Sequence, residues 1–421
     1  MIIPNELLTE NICCGKISEI IDIAEKFFNE KVVNLSPESK ATILCSVMCI
    51  TLDDLDLVIA NHTEVSRTIK RHAFEIVFDS IMSINNVNCR EVGGDTNIDR
   101  IVNGHTLQLK TPYAHGCSNG IVSYKTHKTH GAKSKAESID YYHKVEDFAD
   151  FLVGLVSYKP FTVLIVPKDS LPRVSEHSNH IQSPMYLNIN NPDTNNNFKQ
   201  LGLTQSINFS TDLLSPTNNE CLPKSSKLLQ LKSDYILRTI FNKDNFRIWD
   251  MNMRGFIREH ILLRYLTAHS IKTYPTTITG LERSDKCDLV LKNLNNNYVR
   301  FQIKGLTWGG TVLDKINTKI DCESQLSRVI VNIQPTQSRL CHVTDFENLI
   351  IVIDPPYSNT LSLHTFKRYD YQWNFYSIPM SKLRKHHVYS NRVASHQHKL
   401  YKELQKYRID LPWMKQWTTE L

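Results

Sequence analysis

The chain is written twice, and no other feature limits its possible folds as much. Five stretches recur in the same order on either side of an Asn-rich middle. A segment with helical spacing, RHAFEIVFDSIM (71–82), matches RGFIREHILLRYL (254–266) and aligns Glu75 with Glu259. NIDRIV (97–102) matches KCDLVL (286–291), aligning Asp99 with Asp288. The alternating segments LQLK (107–110) and FQIK (301–304) align Gln108 with Gln302 and Lys110 with Lys304. KVEDFADFLVGLV (144–156) then matches HVTDFENLIIVID (342–354), and IVPKDSLPRVSEHSNH (165–180) matches SIPMSKLRKHHVYSNR (377–392). The displacement grows from 184 residues at the Glu pair through 189, 194 and 198 to 212 at Pro167 and Pro379. Ordered matches with small, growing insertions are the trace of a duplicated domain, and this period is far longer than that of a solenoid repeat.

A chain of 421 residues has room for two cores of this size. The divisions expected are an N-terminal helical region (1–65), a first repeat (66–187), a linker region (188–245), a second repeat (246–395) and a basic C-terminal helix (396–421). Asn-rich and Pro/Ser-rich stretches at 188–198 and 215–227 carry the linker assignment. With 41% apolar and 22% charged residues and a mean hydropathy of −0.32, the composition is that of a globular protein. The ten cysteines show no Cys-x-x-Cys pair, which argues for reduced thiols rather than a disulfide frame or a zinc site. The N-terminus shows no basic, then apolar leader, and the longest apolar run (41–52) is too short to span a bilayer. A cytoplasmic protein with no membrane partner is expected. The net charge of +6 is compatible with a polyanionic partner without requiring one.

Each repeat carries Glu on a helix, Asp on a strand, then Gln-x-Lys on a strand. Asp99 precedes Gln108 by 9 residues and Asp288 precedes Gln302 by 14, the length of a strand, a turn and the start of the next strand. VNGH (102–105) and NLNNNY (293–298) supply the turns, the first with an Asn-Gly hairpin signal. The two-residue period of a strand puts Gln and Lys on one face. A carboxylate and an amide oxygen are hard ligands of the kind Mg²⁺ takes, and such an ion neutralises a phosphate and acidifies a bound water. A neighbouring Lys orients that water and stabilises developing charge. One Gln-x-Lys alone is more often a solvated strand face; the same four residue types in the same order twice carry the weight.

This order of residues resembles the PD-(D/E)xK nuclease superfamily, which includes most type II restriction endonucleases. The resemblance covers about 71–180 and 254–392 and is one of superfamily pattern. It implies an α/β fold, a mixed α+β sheet flanked by helices, in two tandem restriction-endonuclease-like domains. It further implies Mg²⁺-dependent hydrolysis of double-stranded DNA by a site-specific deoxyribonuclease. Carried over, Asp99 and Asp288 are the central metal ligands, and Gln108 and Gln302 the second ligands. Lys110 and Lys304 serve the water, and Glu75 and Glu259 are auxiliary. The Pro before Asp is missing, and Gln replaces Glu, a weaker ligand for a dication, although members with Gln there cut DNA.

Basic segments offer contacts to a phosphate backbone. SYKTHKTHGAKSK (123–135) brings Lys125, Lys128 and Lys133, and reads equally as a solvated loop. The stretch 384–408, with seven Lys or Arg and one Glu, brings Arg384, Lys385 and Arg392 and is expected as a nucleic-acid-facing helix. His127, His130, His386 and His387 stand without the partners of a metal site, and TWGGT (307–311) reads as a loop over the second cluster. The chain is expected as a monomer with an internal pseudo-twofold or as a homodimer, with a cognate methyltransferase as a separate partner of such a system. A repair or recombination nuclease, an RNase, or a non-catalytic nucleic-acid-binding protein with degenerate nuclease folds remains the alternative.

Overall fold

The computed structural model describes residues 25, 30–92, 97–113, 117–126, 142–158, 161–176, 178–190, 198–201, 214–242, 246–279, 287–305, 319–323, 340–353 and 373–419. Pro37–Met48 (α1) starts where the Ser36 hydroxyl accepts the Ser39 amide at 3.2 Å, with Pro37 at the first helical position. Leu52–Asn61 (α2) opens with a reciprocal cap. The Asp54 amide donates to Thr51 Oγ1 at 2.9 Å and the Thr51 amide to Asp54 Oδ2 at 3.2 Å. Thr63–Ile84 (α3) follows, with Ala73, Phe74, Val77, Phe78 and Ile81 buried along one stripe.

Next come strands β1 (Cys89–Glu91), β2 (Arg100–Val102), β3 (His105–Lys110), β4 (Cys117–Ser118), β5 (Ile121–Tyr124), β6 (Phe151–Tyr158), β7 (Phe161–Pro167) and β8 (Met185–Asn188). Helices α4 (Pro223–Leu229), α5 (Ser233–Ile240) and α6 (Phe246–Ala268) precede β9 (Thr273–Tyr274), β10 (Leu289–Lys292), β11 (Tyr298–Gly305), β12 (Lys319–Glu323), β13 (Asn348–Ile353), β14 (Asn374–Pro379) and β15 (His396–Leu400). Two short helices, α7 (Tyr401–Leu404) and α8 (Leu411–Met414), complete the order. The protein is a mixed α/β structure, and none of the described helices is long and apolar enough to cross a membrane.

The chain divides into two units, one continuous (Ile59–Ile240) and one made of Met1–Val58 with Phe241–Leu421. In the continuous unit the main sheet has the order β1-β2-β3-β6-β7, antiparallel except for the parallel pair β3–β6. Helix α3 packs on β3, and on α5, which falls inside the stretch expected as linker. In the other unit the order is β9-β10-β11-β13-β14, with β11–β13 as its parallel pair and the rest antiparallel. Helix α6 packs on β11. Order and sense are the same in both sheets.

Finer features recur as well. A 3₁₀ turn follows the last strand of each sheet, at Lys168–Ser170 and Met380–Lys382, 212 residues apart. The Lys168 amide bonds the Asp150 carbonyl at 2.9 Å, and the Met380 amide bonds the Glu347 carbonyl at 2.8 Å. The isolated bridges Arg173–Ile181 and Lys385–Val393 stand at the same 212-residue displacement. The cores recur with one exchange of bulk. In the first, Tyr124 fills the space over Gly154, where an added Cβ would overlap its ring, and Tyr124 Oη donates to the Leu155 carbonyl at 2.8 Å. In the second, Cys322 and Ile351 stand at those positions, both fully buried. Large-over-small has become small-over-large, which keeps a core at close packing.

One sequence expectation changes here. The stretch 384–408 is not a helix. Strand β15 pairs antiparallel with β12, burying Gln397 beside buried Cys322, and the helical residues are Tyr401–Leu404 with a 3₁₀ turn at Gln405–Tyr407. Alternation of Gln397 with His396 and His398 is a two-residue period, and it wins over the helical reading of the charges. The Asp-Phe pairs at 147–148 and 345–346 lie in turns ahead of β6 and β13, with Phe148 and Phe346 buried.

The buried Asp54 joins α2 to α6 within the discontinuous unit. His260 Nε2 lies 3.0 Å from Asp54 Oδ1, and Arg264 Nη1 donates to Asp54 Oδ2 at 2.6 Å. Burial pushes the carboxyl pKa up, but the hydrogen bonds from His260 and Thr51 and the Arg264 charge outweigh it and hold it at about 2.

Candidate active site

Both clusters form at the same point of their sheets, where the second strand begins beside the central one. The first turn is Asn103-Gly104, both at positive φ (50° and 85°), the conformation that a two-residue hairpin demands. The second is longer, with Asn296 at φ 65° and the Asn293 side chain accepting the Asn295 and Asn297 amides, each at 3.0 Å. Each hairpin sets its Asp against the Gln-x-Lys strand. The Asp99 amide donates to the Leu107 carbonyl and the Asp288 amide to the Phe301 carbonyl, both at 2.8 Å. The carboxylates then reach the residue between Gln and Lys. Asp99 Oδ2 accepts the Leu109 amide at 2.6 Å, and Asp288 Oδ2 accepts the Ile303 amide at 2.7 Å.

The glutamines are buried, Gln108 4% exposed and Gln302 2%. Gln302 Nε2 donates to Asp288 Oδ2, so its Oε1 is turned away from that carboxylate. In both clusters the Gln Oε1 is a buried oxygen with no hydrogen-bond partner among the described residues. A buried acceptor left unmade costs about 1–3 kcal/mol, and here the same atom is left unmade twice.

Electrostatics join Glu and Lys to these groups. Burial raises the Glu75 pKa to about 7, and the Asp99 charge adds to it, against the opposing pull of Arg100 and Lys110. Burial also raises Glu259, with Asp288 adding and Lys304 opposing. Asp288 is itself raised by burial, against Lys304 and the Ile303 amide. The Lys110 pKa is lowered by burial and by the Arg71 charge, with Asp99 and Glu75 opposing. The eight residues expected at the two sites, Glu75, Asp99, Gln108 and Lys110 with Glu259, Asp288, Gln302 and Lys304, therefore gather in two groups of four. Each Asp bonds its strand directly, and each Glu and Lys feels its Asp.

Three further groups shape the clusters and were missed by inspection of the sequence. Thr106 and Arg300 each donate a backbone amide to an acid that precedes the parallel strand, Asp150 at 3.0 Å and Glu347 at 2.7 Å. Beside Asp99, the buried Arg100 bonds Asp79 through Nε and Nη2 (2.8 and 2.9 Å). It also lies 3.6 Å from both Glu75 and Glu91. In the second repeat the positions of Asp79 and Arg100 hold Leu263 and Leu289. A position-by-position comparison of the repeats shows that exchange of an ion pair for an apolar pair.

The expected DNA contacts scatter. Lys125 lies 5.0 Å over the Tyr113 ring, and Arg384 and Lys385 are exposed. Arg392 Nη1 donates to the Leu340 carbonyl at 3.1 Å, which makes it partly structural. His386 and His387 stack at 4.6 Å. Lys128, Lys133, His127, His130 and the TWGGT loop lie outside the described residues. Among the described residues, no group of three or more His, Cys, Asp and Glu is placed to hold a metal. The Gln oxygen is the neutral hard donor that each cluster adds to its carboxylates. No family model, curated protein or solved structure matches the chain.

Proposed function

We propose that the protein is a Mg²⁺-dependent DNA endonuclease of the PD-(D/E)xK type, with two sites in tandem restriction-endonuclease-like domains. One observation carries this reading: in two sheets of one order, the central strand holds a buried Gln whose Oε1 has no partner among the described residues, and an Asp carboxylate accepts the amide of the next residue of that strand. The donor set fits a hard dication, with Asp99 and Gln108 holding one and Asp288 and Gln302 the other. When bound, such an ion neutralises phosphate charge and acidifies a coordinated water. The chain's own groups do the rest. Lys110 can orient the attacking water and stabilise the charge developing on the phosphate, and Lys304 stands at the matching position. Glu75 and Glu259, held partly protonated by burial, can release a proton as a cation arrives.

The Arg100 ion pairs favour a second reading for the first cluster alone, in which it binds duplex without cutting, because Glu75 is already engaged by a resident cation. Incubating supercoiled plasmid with Mg²⁺ tests the function. Nicked and linear products that vanish in excess EDTA support it, and undiminished cutting in EDTA sinks it.

A further inference from the structure

The hairpin closed by the Lys385–Val393 bridge is the one that recurs at Arg173–Ile181 in the first repeat, and the two carry different side chains. Residues 380–400 bring Lys382, Arg384, Lys385, Arg392 and Lys399 and no Asp or Glu. The matching stretch, 168–188, balances Lys168 and Arg173 against Asp169 and Glu176. Arg384, His386, His387 and Val388 stand where the first repeat has Pro172, Val174, Ser175 and Glu176. A charge run alone is more often a solvated face, so what matters is how this one is held.

The base of the hairpin is clamped. Buried Gln397 of β15 accepts the Arg384 amide at 2.7 Å and donates to the Arg384 and Ala394 carbonyls at 3.1 and 3.2 Å. Toward the tip, His386 Nδ1 accepts the Val388 and Tyr389 amides, each at 3.2 Å, which leaves the ring proton on Nε2. The His387 and Tyr389 rings each stack on His386, with centroids 4.6 and 5.0 Å away. Arg384, Lys385, His387 and Val388 are exposed, Val388 by 63%. A loop whose backbone is bonded and whose rings are stacked loses little freedom when a partner binds. Its neighbours lead to the second cluster. The Val393 amide donates to the Cys341 carbonyl at 2.9 Å, and the Val343 amide to the Asn391 carbonyl at 3.0 Å. Burial pushes the Cys341 thiol up, Lys304 opposes it, and Asp345 and Asp288 add to it, so Cys341 lies within reach of that cluster's charges.

We propose that this hairpin is the second repeat's contact to duplex DNA, with Arg384 and Lys385 on the phosphate backbone. The choice of DNA rests on the nuclease reading, but binding is measured in EDTA, where cutting plays no part. The probe is a labelled duplex of mixed sequence, read by fluorescence anisotropy across a salt series. R384Q/K385Q is expected to lower the slope of log affinity against log salt by about two phosphate contacts. K227Q/K232Q, which removes equal charge at and just after α4, should leave the slope unchanged. Val388→Glu, the first repeat's residue at that position, should by itself weaken duplex binding through repulsion. These side chains lie at the surface, so melting temperatures should stay at the wild-type value. Equal losses in the two double variants would assign the effect to net charge and overturn the proposal. An unchanged slope in R384Q/K385Q, or a wild type that binds no duplex, overturns it as well. A larger loss for the single strand than for the duplex would assign the hairpin to unpaired bases and overturn the backbone contact. Plasmid cutting in Mg²⁺ separates the two claims. Duplex held through Arg384 and Lys385 without cutting removes the nuclease and keeps the contact, and cutting with an unchanged slope does the reverse.

Discussion

A glutamine gives a dication one neutral oxygen where a glutamate gives a charge, and the two clusters show what that choice protects. Gln302 Nε2 donates to Asp288, a bond that a glutamate would turn into contact between two carboxylates. Gln302→Glu should therefore destabilise the protein in EDTA by roughly 1–3 kcal/mol, the cost of a buried unpaired group. Mg²⁺ should restore it, raising the melting temperature of the variant more than that of the wild type. A melting temperature for Gln302→Glu that ignores Mg²⁺ would remove these oxygens from the list of ligands. Asp99, Gln108 and Lys110 were legible from the sequence because strand period and turn length are local rules. Arg100 was not, because what it touches is set by a helix packing on strands, across separations that no local pattern spans.

At the level of elements, the exchange of Tyr124 and Gly154 for Cys322 and Ile351 gives a direct test of the paired cores. Gly154→Ile should cost about 1–3 kcal/mol by overpacking against Tyr124. Adding Tyr124→Cys should return much of that, as read by urea unfolding. The Asp54 joint between α2 and α6 is testable by acid. Its folded pKa of about 2 lies below the ordinary carboxylate value of 3.8. Its contribution is thus complete above about pH 4 and is lost as pH falls toward 2. Asp54→Asn should lower stability at pH 7 by about 2–3 kcal/mol, from the size of the shift, and flatten the acid limb between pH 4 and pH 2. Sequence reading found α3, α6 and the hairpins, where periodicity is long or turn chemistry is sharp. It took β15 for a helix because clustered Lys and Arg hid a short two-residue alternation whose buried partner, Cys322, lies far back in the chain.

Across the whole molecule, the two Gln-x-Lys strands occupy the same central place in two sheets of one order. If both clusters hydrolyse, Lys110→Ala and Lys304→Ala should each lose roughly 10²–10³ in rate at one strand, by analogy with deleting one electrostatic stabiliser. Supercoiled plasmid should then stop at nicked circles in each single variant, and the double variant should be nearly inert. Linearisation surviving in one single variant and vanishing in the other would assign all cutting to one repeat. The recurrence of one strand order was announced in the sequence by the order and displacement of the matching segments. The strand senses were not, since parallel pairing of β3 with β6 and of β11 with β13 depends on crossovers that no short segment encodes.

The discontinuity of one unit sets a timetable for synthesis. Met1–Val58 leaves the ribosome first, yet its unit is completed by Phe241–Leu421. At about 5–20 residues per second, the intervening Ile59–Ile240 occupies roughly 10–40 s. Throughout that interval Asp54 has been made, while His260 and Arg264, which hold it, have not. The continuous unit can finish before its predecessor. Protease treatment of stalled nascent chains should find Ile59–Ile240 resistant while the segment around α2 is still cut. Resistance there should arrive only once the chain has passed α6 and the strands after it, so the earliest-made residues of the discontinuous unit are among the last to be secured.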